Sequence, residues 1–183
     1  MPRYLVVSAT RAEAAHVPRE LPVVITGVGK TMAAVATTRA LLSTDREGLT
    51  VLNVGTAGGL RPESHGLFLP GRVVNHDLSA DSLRTMGFDP REELEIPGGD
   101  DTVLASGDVF VTDPVVRDTL ALRAHLVDME GYAVAYACAE LGVPVRLVKH
   151  VSDHADAAAM DWPELVDASA RVLGAWVEEL LGA

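Results

Sequence analysis

Short apolar runs rich in β-branched residues alternate with longer amphipathic segments along the chain. Six runs bounded by glycine, proline or polar residues are typical of buried strands, and four longer segments have the apolar spacing of helices. The alternation predicts an α/β fold, with a central mixed sheet flanked by helices on both faces. The predicted strands are residues 4–7, 23–26, 50–54, 72–75, 125–128 and 145–151, and the predicted helices are residues 31–42, 114–122, 131–141 and 163–181.

The composition predicts a single domain over residues 1–183. Hydrophobic residues make up 48% of the chain, enough for a sizeable core, and the sequence has no composition break, repeat or low-complexity tract. Residues 77–102 are rich in glycine, proline and charge, and we expect them to form a loop-like excursion from this domain. The chain has one cysteine, Cys138, in an apolar helical run, so an internal disulfide is excluded and a core role is expected.

The charge and hydropathy patterns exclude several kinds of partner. The net charge is −11 and no basic run is present, which argues against non-specific binding of nucleic acid. The N-terminal apolar run is too short for a signal peptide, and no segment approaches the roughly 18 apolar residues of a membrane span. We therefore expect a cytoplasmic protein without nucleic-acid or membrane partners.

The segment VVITGVGKT looks like a phosphate-binding loop but lacks the required spacing. A P-loop needs a glycine five residues before Gly29, and Val24 occupies that position inside a predicted strand. The dinucleotide-binding fingerprint needs glycine or alanine where Met32 stands. What remains is a tight turn whose backbone N–H groups lead into a helix.

Polar or glycine-rich stretches directly follow five of the predicted strands. In α/β sheets, ligand sites gather beyond the carboxyl ends of the strands. We therefore expect these stretches to surround one ligand site. They are residues 8–13, 27–30, 55–60, 129–130 and 152–156.

Five short motifs in and near these stretches resemble, in the same order, the purine nucleoside phosphorylase/nucleosidase superfamily. The closest likeness is to the 5′-methylthioadenosine/S-adenosylhomocysteine nucleosidases. The resemblance implies hydrolysis of the N-glycosidic bond of an adenine-type purine nucleoside by a homodimer, without a cofactor or metal ion. The motifs are Gly27-Val28-Gly29-Lys30, Gly55-Thr56-Ala57-Gly58-Gly59, Ser106-Gly107-Asp108, Met129-Glu130 and Ser152-Asp153.

The resemblance also implies a role for each matching residue. Glu13 aligns with the glutamate that activates the attacking water, and Asp153 aligns with the acid that serves the leaving base at N7. Glu130 is expected to accept hydrogen bonds from the ribose hydroxyls. The other residues expected at the substrate are Thr56 beside the ribose or the nucleophile, Phe110 on the purine with Val111 beside it, Met129 on the sugar, Ser152 holding Asp153, and Ala57, Gly58, Asp128 and Lys149.

The chain departs from the family's pattern in ways that bear on the 5′ group of the substrate. Methionine is common in the family at the position of Thr10, arginine is common at Lys149, and the region between Glu13 and Gly27 is short. Leu83 and Met86 roughly match residues that a neighbouring subunit lends to the 5′ pocket. The identity of the 5′-substituent is therefore left open.

Other functions are left open by the sequence. Futalosine-type nucleosides would use a very similar site, a phosphorylase would need an anion site, and a non-catalytic nucleoside-binding paralogue would keep the fold. A metallohydrolase is a further alternative, because HVSDHAD supplies His150, Asp153, His154 and Asp156. On a regular strand, however, Asp153 points away from the face that His150 shares with Ser152.

Overall fold

The computed structural model describes residues 3–182, without the side chains of residues 158, 161, 163 and 164. The strands are β1 (Arg3–Ser8), β2 (Val23–Ile25), β3 (Leu49–Gly59), β4 (Leu67–Phe68), β5 (Pro70–Asn75), β6 (Glu93–Glu95), β7 (Asp100–Ser106), β8 (Leu126–Asp128) and β9 (Val145–Asp153). The α-helices are α1 (Lys30–Leu42), α2 (Ala80–Thr85), α3 (Pro114–Ala121), α4 (Gly131–Glu140) and α5 (Trp162–Gly182), and a 3-10 helix, Ala157–Asp161, precedes α5. Within this described range, no helix has the length and apolar character needed to cross a membrane.

The nine strands form one mixed sheet, as predicted. The main path runs β2-β1-β3-β8-β7-β5-β6, and β9 pairs with β3 and β4. Pairing is parallel between β1 and β2, β1 and β3, β3 and β9, β5 and β7, and β7 and β8. Pairing is antiparallel between β3 and β8, β4 and β9, and β5 and β6. The long strand β3 contacts three neighbours and lies at the centre of the sheet.

Helices cover both faces because successive side chains of each strand point to opposite sides. On β1, Leu5 and Val7 belong to the core cluster that contains residues of α1 and α4, whereas Val6 belongs to the cluster that contains residues of α5. On β5, Val73 belongs to a cluster with residues of α4, and Val74 belongs to one with residues of α3. The sheet is therefore buried on both sides.

Local sequence signals explain where two of these helices begin. At α3, the Asp113 carboxylate accepts a hydrogen bond of 2.8 Å from the Val115 N–H, and Pro114 occupies the first helical turn. At α1, Gly29 precedes the helix with φ of 96°, a conformation that disfavours any residue with a side chain. The GVGK turn thus aims backbone N–H groups toward the end of the sheet.

All six predicted strands and all four predicted helices are present, but two interpretations are wrong. Residues 77–102 are not a loop-like excursion, because they contain α2, β6 and the first residues of β7, and β6 pairs with β5 at the edge of the sheet. The stretch 55–60 does not follow its strand, because β3 continues to Gly59. Likewise β9 continues through Ser152 to Asp153.

Candidate active site

A cavity of about 290 Å³ lies beside the last residues of β1, β3, β8 and β9. Its volume is close to the lower end of the range for small-molecule sites. Four carboxylates line it, those of Glu13, Asp128, Glu130 and Asp153, and among the described lining residues there is no lysine or arginine. The rest of the wall is largely apolar or small. The cavity therefore combines a hydrophobic surface with concentrated negative charge.

Glu13 is buried and held by four hydrogen bonds. Its Oε1 accepts from the Thr56 N–H (2.8 Å) and the Thr56 hydroxyl (2.9 Å), and its Oε2 accepts from the Thr10 N–H (3.1 Å) and the Thr10 hydroxyl (2.9 Å). Two backbone N–H groups and two hydroxyls contact the carboxylate, which together fix its orientation. The turn after β1 and the middle of β3 thus present a fixed carboxylate to the cavity.

Glu130 lies between β8 and α4, and its carboxylate reaches the turn that begins α1. Its Oε1 accepts a hydrogen bond of 2.7 Å from the Gly29 N–H. Burial raises the pKa of Glu130 to about 7, and the nearby Asp128 carboxylate adds to this effect. The Gly29 N–H and the Lys149 ammonium act in the opposite direction. Glu130 is therefore a carboxyl group that changes its charge near neutral pH.

Lys149 and Asp128 form a buried ion pair beneath the cavity. The distance between Lys149 Nζ and Asp128 Oδ2 is 2.9 Å, and the two side chains are 2% and 1% exposed. Asp128 also accepts hydrogen bonds from the Ser106 hydroxyl and from the Gly131 N–H. The additional donors satisfy a carboxylate that has lost its water, as a buried charge requires.

Asp153 and Ser152 both line the cavity because the β3–β9 pairing contains an irregularity. Ala57 pairs with Val151 and Gly58 pairs with Asp153, so Ser152 is the extra residue. A bulge of this kind re-aims side chains, and the expectation that Ser152 and Asp153 point to opposite faces is wrong. The Ser152 hydroxyl donates to Asp153 Oδ2 (2.7 Å), and the Ala155 N–H donates to Asp153 Oδ1 (2.9 Å).

Two glycines of β3 let these carboxylates pack against the strand. A Cβ atom at Gly55 would lie 3.1 Å from Glu13 Oε1 and 3.4 Å from Lys149 Nζ. A Cβ atom at Gly58 would lie 3.1 Å from the Ala155 Cβ and 3.3 Å from Asp153 Oδ1. Because these two positions have no side chain, the carboxylates of Glu13 and Asp153 can lie close to the backbone of β3.

Phe110 is on the turn that follows β7, at the mouth of the cavity. It is about half exposed, and Val28 and Val109 line the cavity beside it with similar exposure. The turn is tied to α1 by the Lys30 N–H, which donates to Asp108 Oδ1 at 2.7 Å. An exposed aromatic ring beside an open cavity is suited to stacking on a flat ligand.

The described side chains do not assemble a metal site. Over this part of the chain, no group of three or more His, Cys, Asp or Glu residues is placed to hold a metal ion. One His150 ring nitrogen lies 2.9 Å from the Ser169 hydroxyl, and His154 is exposed. The HVSDHAD segment therefore contributes Asp153 to the cavity and directs its histidines elsewhere.

Comparison with known proteins identifies the family. Residues 18–181 match the phosphorylase superfamily. This chain belongs to the phosphorylase superfamily. An aminodeoxyfutalosine nucleosidase of Helicobacter pylori is 28% identical over 88% of this chain and 82% of its own length. A 5′-methylthioadenosine/S-adenosylhomocysteine nucleosidase of Marinomonas sp. is 33% identical over 69% of this chain and 65% of its own length.

The superfamily fold extends over the whole chain. A crystal structure of the Helicobacter pylori MTAN, a mutant with 5′-methylthioadenosine in its active site, superposes with a TM-score of 0.86. The superposition covers 100% of this chain and 99% of that one, at 22% sequence identity. The shorter region between Glu13 and Gly27 therefore leaves the superfamily fold intact.

Within the superfamily fold, the structure brings eleven of the twelve predicted site residues to one cavity. The exception is Lys149, whose ammonium is paired with Asp128 and which does not itself line the cavity, so its expected place at the substrate stays a prediction. The eleven that line it are Glu13, Thr56, Ala57, Gly58, Phe110, Val111, Asp128, Met129, Glu130, Ser152 and Asp153. The roles assigned to them stay predictions.

The lining residues that the sequence analysis did not single out include Met160 and Trp162. Trp162 begins α5, and its indole N–H donates to the Thr56 hydroxyl at 2.9 Å. The available signal was Trp162 itself, a large aromatic residue directly before the predicted helix at residues 163–181. Met160 is 69% exposed and lies in the 3-10 helix that the sequence pattern did not predict.

Proposed function

We propose that this chain hydrolyses the N-glycosidic bond of an adenine-type purine nucleoside, such as 5′-methylthioadenosine or S-adenosylhomocysteine. The observation that carries the proposal is the placement of Glu13, Glu130 and Asp153 around one cavity with an exposed aromatic ring at its mouth. The names of its relatives, nucleosidases for methylthioadenosine and aminodeoxyfutalosine, support the same class of reaction.

In the proposed reaction, the C1′–N9 bond breaks and its electron pair leaves with the purine. Asp153 donates a proton to N7 of the base, a water oxygen bonds to C1′, and Glu13 accepts a proton from that water. Each positioned acid or base contributes about 10²–10⁴ in rate. The ribose becomes cationic as the bond breaks, so carboxylates on both sides of the sugar stabilise the transition state.

The surroundings of the three carboxyl groups suit these roles. Glu13 accepts four hydrogen bonds, which hold its carboxylate in one orientation at the cavity. The Ser152 hydroxyl can donate or accept, so it keeps its contact with Asp153 in either protonation state. Glu130, when ionised, has acceptor capacity beyond the Gly29 N–H for the two ribose hydroxyls. Met129 and Phe110 provide surface for the sugar and the base.

Water is the proposed nucleophile in preference to phosphate. The Glu13 carboxylate, and that of Glu130 when ionised, would repel a phosphate anion, and no described lining residue is a lysine or an arginine. The nearby Lys149 is paired with Asp128, and Lys30 is paired with Asp77 and Asn75. Phosphorolysis would therefore lack a cation to hold its nucleophile.

An aminodeoxyfutalosine-type nucleoside is the second candidate substrate. The Helicobacter relative named for that substrate matches 88% of this chain, more than the Marinomonas relative does. Both candidates place a nucleoside in the cavity and differ in the group at the 5′ position. The apolar wall containing Met160 and Trp162 is available for that group.

We also propose that the protein is a cytoplasmic homodimer in which Leu83 and Met86 reach the pocket of the partner subunit. Leu83 on α2 is half-buried, Met86 is 64% exposed, and neither lines the cavity of its own chain. Exposed apolar groups of this kind are suited to contact a second copy. Light scattering of the purified protein should give twice the mass of one chain.

The test is release of free base from a panel of purine nucleosides, followed by chromatography with and without phosphate. We expect adenine from 5′-methylthioadenosine without phosphate, and a loss of about 100-fold or more in kcat for Glu13→Gln and Asp153→Asn. Matched controls are Glu178→Gln and Asp101→Asn, which alter exposed carboxylates away from the cavity. Strict dependence on phosphate would indicate a phosphorylase, and binding without release would indicate a non-catalytic paralogue.

A further inference from the structure

Two hydrogen bonds connect the start of α5 to Glu13. Trp162 Nε1 lies 2.9 Å from Thr56 Oγ1, and Thr56 Oγ1 lies 2.9 Å from Glu13 Oε1. The three residues come from α5, from β3 and from the turn after β1. Trp162 and Thr56 are 106 positions apart in the chain, so only the tertiary fold brings them together.

The direction of each hydrogen bond follows from the chemistry of the groups. An indole nitrogen can only donate, whereas a hydroxyl has one proton to donate and can accept as well. Thr56 Oγ1 must therefore accept from Trp162, which leaves its own proton for Glu13 Oε1. Without the indole N–H, the hydroxyl can turn about its C–O bond and donate elsewhere.

Thr10 shows the same arrangement on the other oxygen of the carboxylate. Its hydroxyl accepts from the backbone N–H of Glu13 at 3.2 Å and donates to Glu13 Oε2 at 2.9 Å. That donor lies within the same turn as Glu13 and is fixed by the backbone. On the Thr56 side, the fixing donor is a side chain from a distant helix, so a single substitution can remove it.

We propose that Trp162 is a positioning residue for the catalytic base. Its indole N–H orients the Thr56 hydroxyl toward Glu13 and thereby holds the carboxylate in the direction needed to accept a proton from water. The inference rests on the proposed role of Glu13 in hydrolysis. Because the effect passes through Thr56, loss of the N–H lowers kcat more than it raises KM.

The variant that tests this is Trp162→Phe, which keeps an aromatic ring in the cavity wall and removes the N–H. We expect kcat for release of adenine from 5′-methylthioadenosine to fall about tenfold, as for the loss of one hydrogen bond, with KM within about twofold of wild type. The matched control is Trp176→Phe, since Trp176 packs in the core on the same helix and does not line the cavity. Its kcat and KM should be unchanged.

A double-mutant cycle separates an effect through Thr56 from a general effect on the cavity wall. Thr56→Val removes the hydroxyl and keeps the backbone N–H that donates to Glu13. If Trp162 acts through Thr56, Trp162→Phe in the Thr56→Val background causes no further loss of kcat. Additive losses, or a wild-type kcat in Trp162→Phe alone, overturn the inference and leave the proposed function standing.

An optical measurement gives a readout that does not depend on turnover. The chain has two tryptophans, so Trp176→Phe leaves Trp162 as the only indole. Adding Thr56→Val should shift the Trp162 emission to shorter wavelength, because the N–H loses its acceptor. Unchanged emission overturns the inference even where Trp162→Phe does not fold. Absence of adenine release by the wild-type protein overturns the proposed function, and this inference with it.

Discussion

Glu130 lies among groups that resist its ionisation. It is buried, and a second carboxylate, that of Asp128, is close to it. The Gly29 N–H and the Lys149 ammonium offset only part of this, so the pKa remains about 7 instead of the ordinary 4.5. The folded protein consequently keeps a proton on Glu130 at pH values where the unfolded chain has released it.

The sign of the stability effect follows from these two values. Between about pH 4.5 and pH 7 the folded state binds more protons than the unfolded state, so the free energy of unfolding falls as the pH rises. The slope contributed by this group is at most about 1.4 kcal/mol per pH unit, and it disappears above pH 7. Glu130→Gln removes the effect and keeps an oxygen to accept from the Gly29 N–H.

We therefore predict that Glu130→Gln is more stable than wild type at pH 8 by about 2–3 kcal/mol, with a smaller difference at pH 5. Urea denaturation of both proteins at the two pH values measures this, and the difference between proteins cancels the other titrating groups. Glu178→Gln, at an exposed position of α5, is the control and should follow wild type. An equal pH dependence in Glu130→Gln and wild type would contradict the prediction.

At the same scale, the family resemblance predicted which residues would lie together. Eleven of the twelve residues that it implied line the cavity, in agreement with the rule that ligand sites lie beyond the carboxyl ends of the strands. The pairing of Lys149 with Asp128 was not predictable, because the two residues are 21 positions apart in the chain and only the tertiary fold brings them together. The joint presence of Ser152 and Asp153 depends on a bulge that residue types alone do not indicate.

The first turn of α1 connects several segments around the cavity. The Gly29 N–H donates to Glu130, and the Lys30 N–H donates to Asp108 on the turn that carries Phe110. Lys30 Nζ donates to Asn75 Oδ1 at 2.7 Å and to Asp77, while the Asp108 N–H donates to Asp77 Oδ2 at 2.7 Å. One lysine therefore holds the ends of β5 and β7 against the helix.

We predict that Lys30→Met raises KM for the nucleoside about tenfold, equivalent to about 1.4 kcal/mol, with a smaller change in kcat. Without the ammonium, the carboxylates of Asp77 and Asp108 repel each other and the turn carrying Phe110 shifts away from the base. Steady-state kinetics measure the two constants separately. Arg39→Met, at an exposed position in the last turn of the same helix, should leave both unchanged. A fall in kcat with unchanged KM would count against this account of the turn.

Sequence patterns located the long elements and missed the short ones for a physical reason. In β6 only the middle residue, Leu94, is buried, and a run of three residues is too short for alternation to be visible. Strand β7 begins with two exposed aspartates, which resemble a loop, before five buried residues complete it. Pairing with β5 and β8 supplies the hydrogen bonds and burial that override the weak local preference.

For the whole molecule, the layered architecture was predictable because periodicity alone indicates which faces are buried. The continuous apolar runs of β1 and β5 require apolar partners on both faces of the sheet, and the amphipathic helices between the strands supply them. The order of the strands was not predictable, since β3 pairs with β9, nearly a hundred positions later in the chain. The position of the cavity therefore followed from a general rule for α/β sheets, and its detailed shape did not.

Because Cys138 is buried, the reactivity of its thiol indicates whether the core around α4 opens. The side chain is inaccessible in the core between α4 and the sheet, and burial raises the pKa of the thiol to about 12.

Only a thiolate reacts with disulfide reagents, so the folded protein should react at least about 1,000-fold more slowly than a free thiol. A chromogenic disulfide reagent, added with and without urea, measures the two rates. Rapid labelling without urea would mean that α4 separates from the sheet under native conditions. With slow labelling, the rate at which Cys138 is modified would measure unfolding directly, because the chain has no other thiol.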